Sequence, residues 1–352
     1  MTLLSSIGEC PITARRSLNT RSGKQCRLPV FFPVYQPNNT SIPIAEWGPL
    51  YGVEGCIVNA FFLYKDRPTR ALFEQGATIQ SYIGFDGIVM TDSGAFQGFS
   101  RRLFLENKTI VAFQNKIGAD IVSPLDLVTP PGDNRATAER KLNVTLARIQ
   151  QAIPLATRGT LAGVQQGGRF LDLRRRSLET LVALDVAYLA IGSLVPFFTR
   201  NHDLFFAGTV LREARRAAGD RLPIHVFGAG DPLELPFLTA LGADIFDSSS
   251  YAHYANAGWY MTPYGAVQNP AMLADFRCRC HVCGQAERIH DVFASAALLA
   301  AHNLWTILDA IRGIREALAS NTLDALLSSV LAQHAEWFPE SSLLSSWSRL
   351  LA

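Results

Sequence analysis

The sequence predicts an α/β fold closed as a (β/α)8 barrel, and three observations carry that prediction. Eight short apolar runs rich in β-branched residues recur along the chain. Most neighbouring runs are separated by roughly 20 to 40 residues, room for a helix and its loops. Several of the spacers, such as Asn134 to Ile153 and Asp172 to Leu184, repeat their apolar residues at the helical period. Buried strands alternating with helices build parallel sheets, and eight such units close one barrel.

In chain order the runs are Pro29 to Val34, Gly55 to Ala60, Gly87 to Asp92, Asp120 to Asp126, Leu161 to Gln166, Val186 to Gly192, Pro223 to Gly228 and Asp244 to Asp247. The third is the most informative, because its apolar residues run straight into Asp92 and then a Ser-Gly turn and an aromatic, TDSGAFQGFS. A buried strand that ends in a carboxylate presents charge at a pocket floor. If the runs are strands, Asp92, Asp126, Gln166, Gly192 and Asp247 stand at their C-terminal ends and face one mouth, where barrels of this kind keep their function. Singly, each carboxylate reads equally well as a helix cap. Three aspartates and a glutamine converging on one pocket do not.

The pattern changes after Tyr251, where aromatic and Gly/Pro-rich sequence leads into FRCRCHVCG. Helical stretches at Asp291 to Ser320 and Leu323 to Ala335 follow, so the expectation is one domain over 1–352 with no separate C-terminal RNA-binding module. A chain of 352 residues, 48% hydrophobic and 18% charged, with formal charge +2, is ordinary for a globular protein. Charge neither demands nor excludes a nucleic-acid partner. No leader-like start and no apolar run of about 18 residues is present, which predicts a cytoplasmic protein. Six cysteines fit that compartment, and the crowding of Cys278, Cys280 and Cys283 suits a metal better than disulfides.

Ten segments, in order, resemble the archaeal type of the tRNA-guanine transglycosylase family: RSGKQCRLPVFFPV, VNAFFLYKD, GFDGIVMTDSGAFQ, LDLVTPP, VQQGGRFLDLR, AIGSLVP, HVFGAGDP, DIFDSSSYAHYANAGWYMTPYG, CRCHVC and AHNLW. The resemblance covers about residues 21–319. It implies exchange of guanine in a polynucleotide, with tRNA favoured over DNA, for a 7-deazaguanine such as 7-cyano-7-deazaguanine. Asp247 stands in the position of the family nucleophile and Asp92 in that of the proton shuttle. Asp126 suits the N–H donors of a guanine-like edge and Gln166 its carbonyl, with the backbone of Gly192, Ser193 and Leu194 completing the edge as in the family. Phe96 stands where a ring could stack on the base, and Ser93 where the family also touches it. Ser193 departs from the family's usual glycine, and a β-carbon there is expected to narrow the pocket.

The three clustered thiolates need a fourth ligand for tetrahedral zinc. His302 matches the family ligand, with His281 and His290 as rivals, and a site closed by four protein ligands is structural. The resemblance places this zinc subdomain at about 263–305. Family members are commonly homodimers, and a separate partner subunit is a further possibility for a short chain. Arg101, Arg102, Arg169, Arg174 to Arg176, Arg277 and Arg279 lie near the inferred mouth and could meet phosphates; for Arg174 to Arg176 a solvated helix face is the stronger reading. A catalytically silent zinc-bearing scaffold and a metal-dependent barrel hydrolase are the competing classes. The first would have no reason to keep all three aspartates, and the second lacks His or Glu at the strand ends.

Overall fold

A computed structural model describes residues 17–37, 41–95, 105–199 and 201–352. Phe96, Arg101 and Arg102 lie outside the described residues. Eight parallel strands close a barrel: β1 (Val30–Tyr35), β2 (Gly55–Asn59), β3 (Ile88–Asp92), β4 (Ile121–Val122), β5 (Thr160–Gln165), β6 (Tyr188–Ile191), β7 (Ile224–Val226) and β8 (Ile245–Ser248), with β8 pairing back onto β1. All eight anticipated runs are strands. The fourth is much shorter than expected, because the segment from Ser123 to Asp126 leaves the ladder. Pro124 has no N–H to give a neighbouring strand, and Asp126 therefore reaches the mouth on a loop.

Side chains alternate across each strand, and this sets what the barrel presents inward. Ile88 and Met90, Ala162 and Val164, Tyr188 and Ala190, and Ile245 pack in the interior cluster, whose base is closed by Leu18 and Cys26 of an N-terminal hairpin (Ser17–Asn19 with Gln25–Arg27). The same phase carries Asp92, Gln166, Gly192 and Asp247 inward at the strand ends. The opposite phase, Val89, Leu161, Leu189 and Phe246 among others, packs against the surrounding helices. Two further buried aspartates sit at the other end of the barrel. Asp120 accepts from the Val89 N–H and Asp244 from the Ile224 N–H, and Asp244 is also bonded to the buried Arg215. Their work is to join strands, as expected of the N-terminal face.

Helix α1 (Arg135–Ala152) is capped by Asn134, and α2 (Leu171–Ala183) follows β5. The anticipated helix from Asp291 to Ser320 is in fact two, Ile289–Phe293 and Ala296–Ala319, because Ser295 turns out of helical geometry and caps the second by accepting from the Leu298 N–H. Helices at Leu323–Trp337 and Leu343–Leu351 complete the described chain. No described helix is long and apolar enough to cross a membrane.

Candidate active site and metal centre

A cavity of about 1220 Å³ opens at the C-terminal ends of the strands, lined by Asp92, Asp126, Gln166, Gly192, Ser193 and Asp247 among others. Six of the residues singled out in the sequence thus meet in one place. Ser93 and Leu194 are fully buried and are not part of the lining, so they can reach a ligand there only through their backbone or by rearrangement. The Ser93 hydroxyl has no partner among the described residues.

Asp92 is fixed by its neighbours on both oxygens. Asn59, its register partner on β2, donates to Oδ2 at 3.1 Å, and the Gly94 N–H donates to Oδ1 at 3.2 Å. Burial nevertheless dominates and pushes its pKa up to about 7, with the charges of Asp126 and Asp247 adding in the same direction. Asp126 is raised to about 6, again by burial, against the opposing hydrogen bond from Gln166. That bond, Gln166 Nε2 to Asp126 Oδ2 at 2.6 Å, leaves the buried Gln166 Oε1 without a partner among the described residues. The amide donor expected to face a base carbonyl is therefore engaged by Asp126. Gly192 permits this arrangement, since a β-carbon there would lie 2.6 Å from the Gln166 amide nitrogen.

Asp247 differs in kind from the other two. The Gly228 N–H donates to its Oδ1 at 3.1 Å, and His225 Nε2 stands 2.9 Å from the same oxygen, outside hydrogen-bond alignment. Among the described residues no hydrogen bond reaches Oδ2, so one oxygen is held while the other is left for chemistry. His225 itself is fully buried and shares a 2.8 Å hydrogen bond with the Tyr188 hydroxyl. The sequence signal that His225 points inward is the period-two phase it shares with Phe227, which packs on the interior cluster.

Ser193 occupies left-handed backbone, φ 57, a conformation that costs a residue with a β-carbon roughly 1 kcal/mol. Its hydroxyl accepts from the Thr129 N–H at 2.9 Å, which ties the β6 loop to the loop carrying Asp126 and offsets that cost. The serine thus lines the cavity and also braces two of its walls.

The basic residues fall into different roles than their spacing suggested. Arg175 and Arg176 lie on the outer face of α2 and pair with Glu213 and Glu139. Arg174 is fully buried. Three consecutive helical residues are rotated by about 100° from one to the next, so they cannot share one face. Arg169, Arg277 and Arg279 are exposed.

In the C-terminal third, one ligand atom each from Cys278, Cys280, Cys283 and His302 lies within 4.8 Å of all the others. His302 Nδ1 stands 3.6, 3.4 and 3.5 Å from the three sulfurs. Metal–sulfur and metal–nitrogen bonds of typical tetrahedral length span about 3.5 Å between ligand atoms, so the donor set fits a metal ion. His302 Nε2 faces the Met261 carbonyl at 2.9 Å, which places the proton on Nε2 and leaves Nδ1 as a lone-pair donor. Cys278 is drawn well below the usual thiol range by hydrogen bonds from Cys280 and Cys283. The rival histidines are elsewhere: His281 Nε2 is 3.3 Å from the Tyr51 hydroxyl, and His290 is exposed.

Comparison with known proteins agrees with this architecture. The family model for queuine tRNA-ribosyltransferase (TGT) matches residues 10–336. The tRNA-guanine(15) transglycosylase of Methanopyrus kandleri is 35% identical over 89% of this chain and 68% of its own length. That of Nanoarchaeum equitans is 35% identical over 86% of this chain and 71% of its own length, and that of Pyrococcus abyssi 33% identical over 94% and 56%. The closed barrel, a match over nearly the whole chain and relatives at this identity together show that the chain belongs to the tRNA-guanine transglycosylase family of enzymes.

Proposed function

We propose that this protein exchanges guanine in a polynucleotide, most readily a tRNA, for a 7-deazaguanine such as 7-cyano-7-deazaguanine, by way of a covalent ribosyl ester on Asp247. The observation that carries the reading is the pairing of two unlike carboxylates over one cavity: Asp247, with one oxygen held and the other free of hydrogen bonds from the described residues, and Asp92, buried and raised to about 7. Two carboxylates in different environments divide nucleophilic and proton-transfer work.

In the first step Asp247 Oδ2 attacks C1′ of the nucleotide. The C1′–N9 bond breaks with its electron pair going to guanine, and protonated Asp92 supplies the proton that lets the base leave neutral. In the second step the incoming base attacks C1′, the ester bond breaks, and Asp92 takes the proton released by that base. Two displacements retain configuration at C1′. Asp126 and Gln166 would separate from each other to meet the base edge: the carboxylate accepts from its N–H groups and the freed amide donates to its carbonyl. A base in a folded or paired strand must be flipped out to reach this depth.

The names of the relatives place their reaction at guanine 15 of tRNA, and this supports tRNA over DNA for the present chain. Incubating the protein with labelled guanine and either bulk tRNA or duplex DNA tests it. Label is expected in tRNA; label only in DNA would transfer the same chemistry to the other polymer, and label in neither would leave a binding scaffold as the better account.

We assign the metal as zinc, bound by Cys278, Cys280, Cys283 and His302. With four protein ligands it has no open position for water, and its contribution is to folding. Purified protein should carry about one zinc per chain. His302→Ala should release most of it and lower the melting temperature, while His290→Ala should change neither. Loss of zinc from His290→Ala with retention in His302→Ala would reverse the assignment.

A further inference from the structure

Arg174 is buried to full exclusion of solvent, and no carboxylate pairs with it among the described residues. Among the described residues the other fully buried guanidinium, Arg215, has Asp244. Leaving such a cation without a counter-charge is costly, and three backbone carbonyls are what hold it: Nε donates to Gly168 O at 2.9 Å, one terminal nitrogen to Gly192 O at 2.8 Å, and the other to Ser193 O at 3.4 Å. All three carbonyls belong to the two loops that frame the base end of the cavity. Arg174 does not line the cavity, whereas Gly192 and Ser193 do, so it lies behind the peptide units that they form.

In a trans peptide the N–H points away from its C=O. Fastening Gly192 O and Ser193 O to a guanidinium on the far side therefore turns the N–H groups of Ser193 and Leu194 toward the cavity. Neither N–H donates to any acceptor among the described residues. A cation on the carbonyl side also polarises each peptide, which strengthens its N–H as a donor. Resting on the transglycosylase reading above, we propose that Arg174 is the positioning residue that aims and polarises the Ser193 and Leu194 N–H groups at the O6 carbonyl of the guanine-like base. As the C1′–N9 bond breaks, negative charge spreads through the ring to O6, and donors fixed in advance at that oxygen stabilise it. The missing carboxylate then has a reason: an acid beside Arg174 would cancel the field that these peptides transmit.

The test compares guanine with 2-aminopurine, which keeps the ring and the 2-amino group and lacks O6. Dissociation constants are measured for the wild type, Arg174→Lys and Arg174→Gln, with folding followed by circular dichroism and zinc content. Both variants should weaken guanine binding by about tenfold to a hundredfold and leave 2-aminopurine binding unchanged, with lysine the milder change because it keeps the charge. Equal weakening for both bases would reduce Arg174 to a packing residue, and unchanged guanine binding would remove it from recognition altogether. Should neither variant fold, the wild type decides: binding 2-aminopurine as tightly as guanine contradicts the proposal. A wild type that prefers guanine yet exchanges it into no polynucleotide contradicts the transglycosylase reading alone.

Discussion

Asp247→Asn is expected to lower guanine exchange by on the order of 10⁴-fold or more, as removal of a catalytic nucleophile does, while leaving the fold and zinc content intact. The amide keeps the shape of the carboxylate and can still accept from the Gly228 N–H at the position of Oδ1. What it loses is the negative oxygen on the side where no hydrogen bond is made. Base binding should survive, because Asp126 and Gln166 stand on other strands and loops. Labelled-guanine incorporation into tRNA, measured beside guanine affinity on the same preparation, checks the separation. Exchange within tenfold of the wild type would exclude Asp247 as the nucleophile.

Asp92→Asn should reduce turnover by about 10²- to 10⁴-fold, the range for a lost acid–base group, and should also change how the protein responds to pH. Base expulsion needs Asp92 protonated, so its single-turnover rate in the wild type should fall as pH rises through about 7. Uptake of the new base needs Asp92 ionised and should show the opposite limb. Both limbs should vanish in the variant. Stability follows with a defined sign. A carboxyl raised in the folded state binds more protons there than in the unfolded chain, so its contribution is present below about pH 4 and is lost as pH rises through 7. Asp126 acts in the same window, with its midpoint at about 6. The melting temperature of the wild type should therefore fall more between pH 4 and 8 than that of Asp92→Asn. A variant with lower affinity and unchanged pH limbs would make Asp92 a binding residue only.

Legibility of the site in the sequence follows from the strand ends. Asp92, Gln166, Gly192 and Asp247 each close an apolar run, a residue at the C-terminal end of a barrel strand faces the mouth, and all four line the cavity. Residues carried by irregular backbone were less legible. Asp126 reached the cavity although its strand ended at Val122, because the loop after Pro124 bends inward, and no periodicity encodes that bend. The hydrogen bond between Gln166 and Asp126 is also invisible in the sequence, since it depends on the separation of two loops. Arg174 was misread because adjacent arginines look like one basic face, and only the orientation of α2 against β5 and β6 shows that the first of them turns inward. His302 was reachable only through resemblance. Its suitability as a ligand rests on the Met261 carbonyl, which fixes the ring from behind.

The reading depends most on a covalent bond between Asp247 and the ribose, and trapping that bond tests it directly. Zinc-loaded, folded protein is mixed with tRNA, or separately with duplex DNA, and with a base analogue that occupies the pocket but cannot complete the exchange; the mixture is then run on denaturing electrophoresis. The expected result is a protein–polynucleotide band that hydroxylamine cleaves, that fresh competent base releases, and that is absent from Asp247→Asn. Chelators should diminish it only slowly, through unfolding around Cys278 to His302. Absence of the band with both polymers, or its persistence in Asp247→Asn, would contradict the account.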